Sequence, residues 1–337
     1  MALAVAAAFM GAGSAWGQAS GAVAVYGQAR LLQQGSSLVV TTTNGLGGNH
    51  SVINWQSFSV PAGSATRFDQ PSTSSTSINR VMGNDPSAIY GTLSSNGRLV
   101  LVNPSGIAVG AGAVVDTAAF TASTLRMSEA DAIAGRLVFG DALTSGGTLA
   151  VDGSILARSG DVVLIAPNVQ VGTQALVQAP NGATLLAAGQ KVEITGRGLE
   201  GIRLEVQAPA DQVVNLGKLS GDAVGIFAGQ LKHSGLIQAS GISSQSGKVI
   251  LSAGGDNIVD GKVIAKAGDH GGSIDVLGQR VGLMAGAALD ASGESGGGSI
   301  RVGGDYQGAN RAGAQCPAHP HRLGQHRLQA ANSRCGN

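Results

Sequence analysis

The sequence has little charge, few aromatic side chains and hardly any cysteine. Of its 337 residues, 12% are charged and 3% are aromatic, and the formal net charge is +1. A chain so close to neutral offers no electrostatic basis for binding nucleic acid or an anionic membrane surface. Disorder is also not expected, because net charge is low while 43% of the residues are apolar. We therefore expect a folded protein that does not bind nucleic acid.

Cysteine and histidine are placed where they predict no metal site. The two cysteines, Cys316 and Cys335, lie near the C-terminus and lack the spacing of zinc ligands. The histidines that precede them are far apart in the sequence and give no ligand spacing either: His50, His233 and His270. The sequence therefore predicts no metal and no cofactor.

Residues 1–17 have the character of a signal peptide. The apolar run "MALAVAAAFMGAGSAWGQAS" contains Ala15-Trp16-Gly17, an acceptable small-x-small cleavage site. No basic segment precedes the run, which leaves open whether the true start lies upstream of Met1, and a buried Ala-rich helix is the alternative. No stretch of 18 or more apolar residues follows, so no membrane-spanning segment is predicted. The chain is expected to be exported.

Glycine is abundant, with 54 residues, and it punctuates short apolar runs. Some of these runs share a pattern: GDVVLIAP at Gly160, GATLLAAG at Gly182, GKVILSAG at Gly247, GSIDVLG at Gly272 and GSIRVGG at Gly298. A period of twenty-odd residues with two or three short strands is typical of a solenoid. A leucine-rich repeat needs a fixed consensus and a propeller blade needs about 40 residues, so neither fits.

The fold class that follows is all-β, a right-handed parallel β-helix. Stacked coils would bury Leu, Val, Ile and Ala in ladders and would place Gly, Asn, Asp and Ser at the corners. We expect one domain over residues 18–310, with an N-terminal β cap at about 22–95 and coils at about 96–306. About a dozen coils would make a rod on the order of 55 Å long.

Three segments depart from the repeat. Residues 200–219 alternate apolar and polar side chains around Pro209-Ala210-Asp211, which predicts a hairpin set against the rod. Ser128–Ile133 is the one helix candidate. The tail at 311–337 loses all alternation and holds both cysteines and four arginines without a carboxylate. We interpret that tail as an out-of-frame or truncated continuation, with a functional basic tail as the alternative.

Motifs of catalysis are weak. "GESGG" (293–297) matches the nucleophile-elbow string but is followed by a strand, and "GISSQSGK" (241–248) is one residue too long for a phosphate loop. A β-helix polysaccharide enzyme would need paired carboxylates and sugar-stacking aromatic rings. The candidate carboxylates are Asp256, Asp260, Asp269 and Asp275. Since some stand beside glycines in turns and aromatic residues are scarce, we predict that the chain is not an enzyme.

The stretch "NGRLVLVNPSGIAVGAGAVVD" (96–116) sets the turn Asn103-Pro104-Ser105-Gly106 between two strongly apolar strands. Every residue of this turn favours a turn conformation. Pro104 fixes its own φ and biases Asn103 towards extended geometry. We expect a coil corner in which the Asn103 amide bonds strand ends of a neighbouring coil.

Short motifs between residues 51 and 125 follow one another in a specific order. They are Ile53-Asn54-Trp55 with Phe58, Phe68-Asp69-Gln70-Pro71, Asn79-Arg80-Val81, Gly91 with Leu93, Asn96-Gly97, Asn103-Pro104-Ser105-Gly106-Ile107 and Ala122-Ser123-Thr124-Leu125. In this order they resemble the N-terminal secretion domain of two-partner-secretion exoproteins, the haemagglutination activity domain of filamentous haemagglutinins and high-molecular-weight adhesins. The resemblance extends more loosely to about Asn310.

The resemblance implies a secretion-and-folding-nucleation module of an adhesin-like exoprotein, exported through the periplasm to the surface or surroundings of a Gram-negative bacterium. Its partner would be an outer-membrane transporter whose periplasmic domains bind the unfolded chain. The residues carried over for recognition are Asn79, Arg80, Asn103, Pro104, Ser105, Gly106 and Ile107. Trp55 and Phe58 would be packing anchors of the cap. A purely structural role for these residues is the alternative.

The sequence also departs from the family pattern. Ser105 stands where the commonest family turn has Asn, and the separate Asn-Pro-Asn-Leu motif of the haemagglutinin branch is absent. Long adhesive repeats are missing as well, so binding of a host-cell receptor or glycan is expected only through downstream segments. Two other functions stay open, a polysaccharide-active β-helix enzyme and an exoprotein that binds a carrier or haem protein.

Overall fold

A computed structural model describes residues 19–140, 146–241 and 247–303. The predicted signal peptide and the tail at 311–337, with both cysteines, lie outside the described residues. Within them nearly every regular element is a short strand.

The first strands in chain order are β1 (Val23–Tyr26), β2 (Gln28–Gln34), β3 (Ser37–Thr43), β4 (His50–Trp55), β5 (Ala65–Asp69), β6 (Thr76–Val81), β7 (Ser87–Ile89), β8 (Thr92–Ser95), β9 (Arg98–Val102), β10 (Ile107–Val109), β11 (Val114–Thr117) and β12 (Ala119–Ser123). Helix α1 (Glu129–Ile133) follows. After it come β13 (Leu137–Phe139), β14 (Thr148–Val151), β15 (Ser154–Ala157), β16 (Val162–Ala166), β17 (Asn168–Val171), β18 (Leu176–Ala188) and β19 (Lys191–Ile194). A 3-10 turn (Leu199–Gly201) leads to β20 (Ile202–Val206), β21 (Gln212–Asn215), β22 (Lys218–Ala228), β23 (Gln230–His233), β24 (Leu236–Gly241), β25 (Lys248–Ala253), β26 (Asp256–Val259), β27 (Lys262–Ala267), β28 (His270–Gly271), β29 (Ser273–Leu277), β30 (Arg280–Leu283), β31 (Ala288–Asp290) and β32 (Ser299–Val302).

The strands stack in three parallel columns, the arrangement of a parallel β-helix. The first column is β3, β5, β8, β11, β15, the first half of β18, the first half of β22, β24, β27 and β31. The second column is β4, β6, β9, β12, β16, the second halves of β18 and β22, β25, β29 and β32. The third column is β7, β10, β14, β17, β21, β23, β26 and β30.

The described coils are fewer than the dozen predicted, because two segments leave the rod. The first excursion (residues 124–140) follows β12, and the second excursion (residues 189–211) runs from β18 to β21. Ten strands in a column at about 4.8 Å spacing give a rod of about 45 Å, shorter than predicted.

The predicted cap boundary near residue 95 is wrong. Among the strands of the predicted cap, antiparallel pairing is confined to the first two, with β2 paired to β3 and β1 paired to β4. Parallel stacking already begins where β3 meets β5 and β4 meets β6. The cap is therefore β1 and β2 only, which cover the edge of the first coil, since β3 and β4 already belong to that coil.

The interior of the rod is a set of aligned, mostly apolar ladders. One ladder of the first column consists of Leu38, Thr66, Leu93, Val115, Ile155, Val177, Leu219, Ile237, Val263 and Leu289. None of these side chains is more than 6% exposed. Complete burial of one aliphatic side chain contributes about 1.5–3 kcal/mol, so ladders of this kind dominate the stability of the rod.

A second hydrophobic core explains why several strands are apolar on both faces. The outer face of the second column carries Val52, Ile78, Val100 and Leu185, all buried. They are covered by the two excursions, in which β13, β19 and β20 form a three-stranded antiparallel sheet. Strands such as β9 are thus buried inside the rod on one face and beneath this extra layer on the other.

The predicted hairpin at 200–219 is wrong in its boundaries. Its arms are β19 and β20, which pair antiparallel across the segment 195–201. The turn at Pro209-Ala210-Asp211 instead leads back into the rod, where β21 stacks in parallel on β17. Alternation alone does not distinguish these outcomes, because both strands alternate more buried with less buried side chains, half-buried and exposed in β20, buried and half-buried in β21.

The one predicted helix is present. Ser128 is the N-cap of α1, and its hydroxyl accepts a hydrogen bond from the Asp131 amide. Among the described residues no helix is long and apolar enough to cross a membrane.

Candidate functional site

The turn Asn103–Gly106 is a coil corner between β9 and β10. The Gly106 amide donates to the Asn103 carbonyl at 3.1 Å, which closes a β-turn. Gly106 has φ +126°, a conformation that L side chains rarely adopt, so glycine is required there. Pro104 is half-buried and Ser105 is exposed, so the outer tip of the corner faces solvent.

The Asn103 side chain is completely buried and every polar atom of its amide is bonded. Its Nδ2 donates to the Asp85 carbonyl at 3.0 Å and to the Ser87 hydroxyl at 2.9 Å, on the preceding coil. Its Oδ1 accepts from the Ser105 amide at 3.0 Å. The amide therefore joins neighbouring coils, as the sequence predicted, and no atom of it is available to a partner of the folded protein.

Asn79 occupies a ladder position inside the rod. It lies between Ile53 and Leu101 in the register of the second column and is 1% exposed. Its Oδ1 accepts a hydrogen bond of 2.9 Å from Trp55 Nε1, and its Nδ2 donates to the Ser77 carbonyl at 3.1 Å. This polar group is tolerated in an apolar ladder because it is fully hydrogen-bonded.

Arg80 points the opposite way and holds the first excursion against the rod. Its Nη1 donates to Asn54 Oδ1 at 2.9 Å and to Glu129 at 3.2 Å, while its Nε donates to the Met127 carbonyl at 3.1 Å. Asn54 Nδ2 completes the set with a 2.9 Å bond to Glu129. This hydrogen bond from the Asn54 side chain is the largest effect, and together with the contact with Arg80 it holds the pKa of the Glu129 carboxyl below its ordinary value.

Trp55 and Phe58 lie in the core of the first coils. Both side chains are essentially unexposed, and their rings meet edge to face with centroids 5.2 Å apart. The Phe58 ring also packs against the Phe68 ring, with centroids 6.2 Å apart. Of the sequence-predicted residues, Trp55 and Asn79 are in direct contact, whereas the Asn103 turn is a separate corner that follows β9.

Sequence reasoning missed three residues of this region. Asn54 and Glu129 complete the contacts of Arg80, and His50 binds the Ile133 carbonyl through Nε2 at 3.0 Å. His50 also packs against Tyr26, with ring centroids 4.7 Å apart. The Asn54–Glu129 and His50–Ile133 contacts join residues 75 and 83 positions apart, and no local pattern in the sequence predicts them.

Three of the four carboxylates considered for polysaccharide chemistry connect neighbouring coils. Asp256 pairs with Arg280, and Asp275 pairs with Arg301 at 2.5 Å, each one coil further along the rod. Asp260 accepts a 2.8 Å hydrogen bond from the Gly286 amide. In the described ranges no group of three or more His, Cys, Asp or Glu side chains is placed to hold a metal ion.

A protein-family model identifies the family of this chain. The family model for the TPS secretion domain matches residues 18–302, which is nearly the whole described rod. The chain belongs to the TPS secretion domain family.

Two curated relatives of this secretion domain come from Haemophilus influenzae, and each is named heme/hemopexin-binding protein. One is 27% identical over 257 residues, covering 68% of this chain and 28% of the relative. The other is 35% identical over 78 residues, covering 23% of this chain and 8% of the relative. The chain therefore spans less than a third of the length of the curated relatives it matches.

Solved structures show the same architecture. The HMW1 secretion domain from Haemophilus influenzae is 28% identical, with a TM-score of 0.77 over 88% of this chain and 80% of that one. The filamentous hemagglutinin secretion domain is 20% identical, with a TM-score of 0.54 over 86% of this chain and 98% of that one, and it supports the fold alone. The predicted parallel β-helix and the predicted family are thus both confirmed.

Proposed function

We propose that this secretion domain directs the export of a longer exoprotein by binding, while unfolded, to the periplasmic domains of an outer-membrane transporter. Membership of the TPS secretion domain family supports a transporter as the partner and export through the periplasm as the route. The domain then folds first outside the cell and serves as the base on which later coils stack.

Burial of the predicted recognition residues carries this proposal. Five of the seven are buried in the folded rod: Asn79, Arg80, Asn103, Gly106 and Ile107. The amides of Asn79 and Asn103 are bonded within the rod, and the Arg80 guanidinium is bonded to the first excursion. A transporter can therefore read these side chains only before the chain has folded.

An unfolded segment suits recognition by strand addition. The segment from β9 to β10 is extended on both sides of the Asn103 turn. An extended segment can join the edge of a partner's sheet through its main chain, while pockets select alternate side chains. The turn residues would then mark the register of that pairing.

The lack of cysteine in most of the sequence is compatible with export of the chain in an unfolded state. No cysteine precedes Cys316 in the sequence, so no disulfide can close within residues 1–315 in the oxidising periplasm. Stacking of coils outside the cell releases free energy and favours outward movement of the chain. Binding of a host-cell receptor or glycan belongs, in this proposal, to segments downstream of the secretion domain.

The test is binding of the full chain to purified periplasmic domains of the cognate transporter. Chain diluted from urea should bind, and the same chain allowed to fold beforehand should not. Asn103→Ala, diluted in the same way, should bind more weakly, whereas Arg158→Ala, on a later coil, should bind like wild type. Equal binding of the folded and unfolded chain would contradict recognition before folding.

If Asn103→Ala binds like wild type and only refolds more slowly, the turn is a coil corner without a recognition role. That result would leave the transporter as the partner and move recognition elsewhere in the chain.

A further inference from the structure

A histidine is buried in the middle of the rod, far from the elements described above. His233 ends β23 in the third column, and its side chain has no exposed surface. In the register of that column it lies between Asn215 of β21 and Val259 of β26. Asn215 is likewise fully buried, and the ladder continues beyond the pair with Val171 on one side and Val259 on the other, so the two polar side chains face each other inside an otherwise apolar ladder.

The hydrogen bonds around the ring define one neutral tautomer. The Gly217 amide donates to Asn215 Oδ1 at 3.1 Å, so Nδ2 is the amide atom that faces the ring. Nδ2 lies 3.1 Å from His233 Nδ1 and can only donate, so Nδ1 must be an acceptor without a proton. Nε2 then carries the hydrogen and donates to the Lys262 carbonyl at 3.3 Å.

A second proton on the ring has no acceptor here. An Nδ1–H would point at the Asn215 amide hydrogens, and turning that amide over would set its NH₂ against the Gly217 N–H. The charged side chains on the packed strands offer no compensation: Lys232, Asp260 and Lys262 are exposed, and Lys218 is half-buried without a bond to the ring. Burial, the largest effect, accordingly lowers the pKa of His233 below its ordinary value of 6.5.

We propose that the His233–Asn215 pair makes the middle of the rod acid-sensitive, so that mild acidification opens the coils around β21 and β23. In the unfolded chain the His233 ring takes up a proton as the pH falls below about 6.5, while in the folded rod the ring stays neutral to lower pH. The contribution of His233 to the free energy of unfolding is therefore fully present above pH 6.5. It decreases as the pH falls from 6.5 towards the pKa of His233 in the folded protein. Within that window the unfolding equilibrium constant gains up to about tenfold per pH unit from this one residue.

The test is urea unfolding of the full chain between pH 7.5 and pH 5, with three variants. His233→Leu should lose the His233 part of the pH dependence, although it is less stable throughout because Asn215 loses its partner. The matched control is His270→Gln, which removes an exposed histidine and should keep the wild-type pH dependence. Asn215→Asp should reverse it, because a carboxylate accepts from both the Gly217 amide and a charged ring.

A second measurement on wild-type chain covers the case in which a variant does not fold. In the folded protein the His233 ring should stay neutral as the pH is lowered through 6.5, as followed by NMR of labelled histidine. Hydrogen exchange of residues 212–233, corrected for its intrinsic pH dependence, should rise from pH 7.5 to pH 5.5 more than that of residues 98–123. A His233 ring that titrates at or above pH 6.5, or identical pH dependence of wild type and His233→Leu, would overturn the proposal.

Discussion

The hydrogen bond between Trp55 and Asn79 allows a quantitative test of the view that Asn79 is a structural residue of the folded rod. Asn79→Leu would restore an apolar ladder between Ile53 and Leu101 but would leave the Trp55 Nε1–H buried without an acceptor. An unsatisfied buried donor costs about 1–3 kcal/mol, and the added apolar surface offsets only part of it. We expect Asn79→Leu to lower the free energy of unfolding by about 2 kcal/mol.

Trp55→Phe removes the donor instead of the acceptor. On its own it should also destabilise the protein, because the Asn79 Oδ1 loses its bond and the smaller ring leaves space. In the double variant neither unpaired group is present, so the two losses should not add. The expected coupling free energy is about 1–2 kcal/mol.

Urea unfolding followed by circular dichroism measures all four proteins of this cycle. Changes at independent sites usually add to within about 0.5 kcal/mol. Losses that add within that margin would refute the argument that the indole and the amide stabilise each other.

Two further predictions concern the extra layer on the rod. The pKa of Glu129 is lowered by the hydrogen bond from Asn54 and then by Arg80. The contacts of the Glu129 carboxylate therefore stabilise the fold when the pH is above the ordinary pKa of 4.5, and this stabilisation is lost as the pH falls below 4.5. Hydrogen exchange of α1 should therefore increase in acid, and Glu129→Gln should abolish that increase. A Cβ on Gly225 would lie 2.6 Å from Leu199 Cδ2, so Gly225→Val should lower stability by about 1–3 kcal/mol in thermal denaturation. Gly297→Val is the control, since nothing lies within 4 Å of its Cβ, and equal losses in both variants would contradict the packing argument.

Local chemistry made several features predictable from the sequence. The Asn103 corner follows from turn propensity and from the restriction that Pro104 places on its neighbour. Ser128 with acidic residues in the first turn marks α1 as a helix. Glycine-punctuated apolar runs gave the coil repeat, because each coil must turn sharply at its corners and bury its inward side chains.

Long-range pairing explains what the sequence did not predict. Strand β13 pairs with β19, more than 50 residues later, and no local pattern selects that partner. The sequence does contain one sign of this layer. Strands such as β9 and β16 are apolar on both faces and lack the polar face of a solvent-exposed strand, which indicates that a second layer covers them. Which segments form that layer depends on contacts such as that of Arg80 with Glu129, which only the folded structure reveals.

The most direct test of the central claim is transporter-dependent secretion. The full chain would be expressed in a Gram-negative host with and without its cognate outer-membrane transporter, and the chain in the periplasm and in the medium would be quantified. We expect protease-resistant, folded chain in the medium only when the transporter is present, and unfolded, degraded chain in the periplasm when it is absent. Equal amounts in the medium with and without the transporter would contradict it.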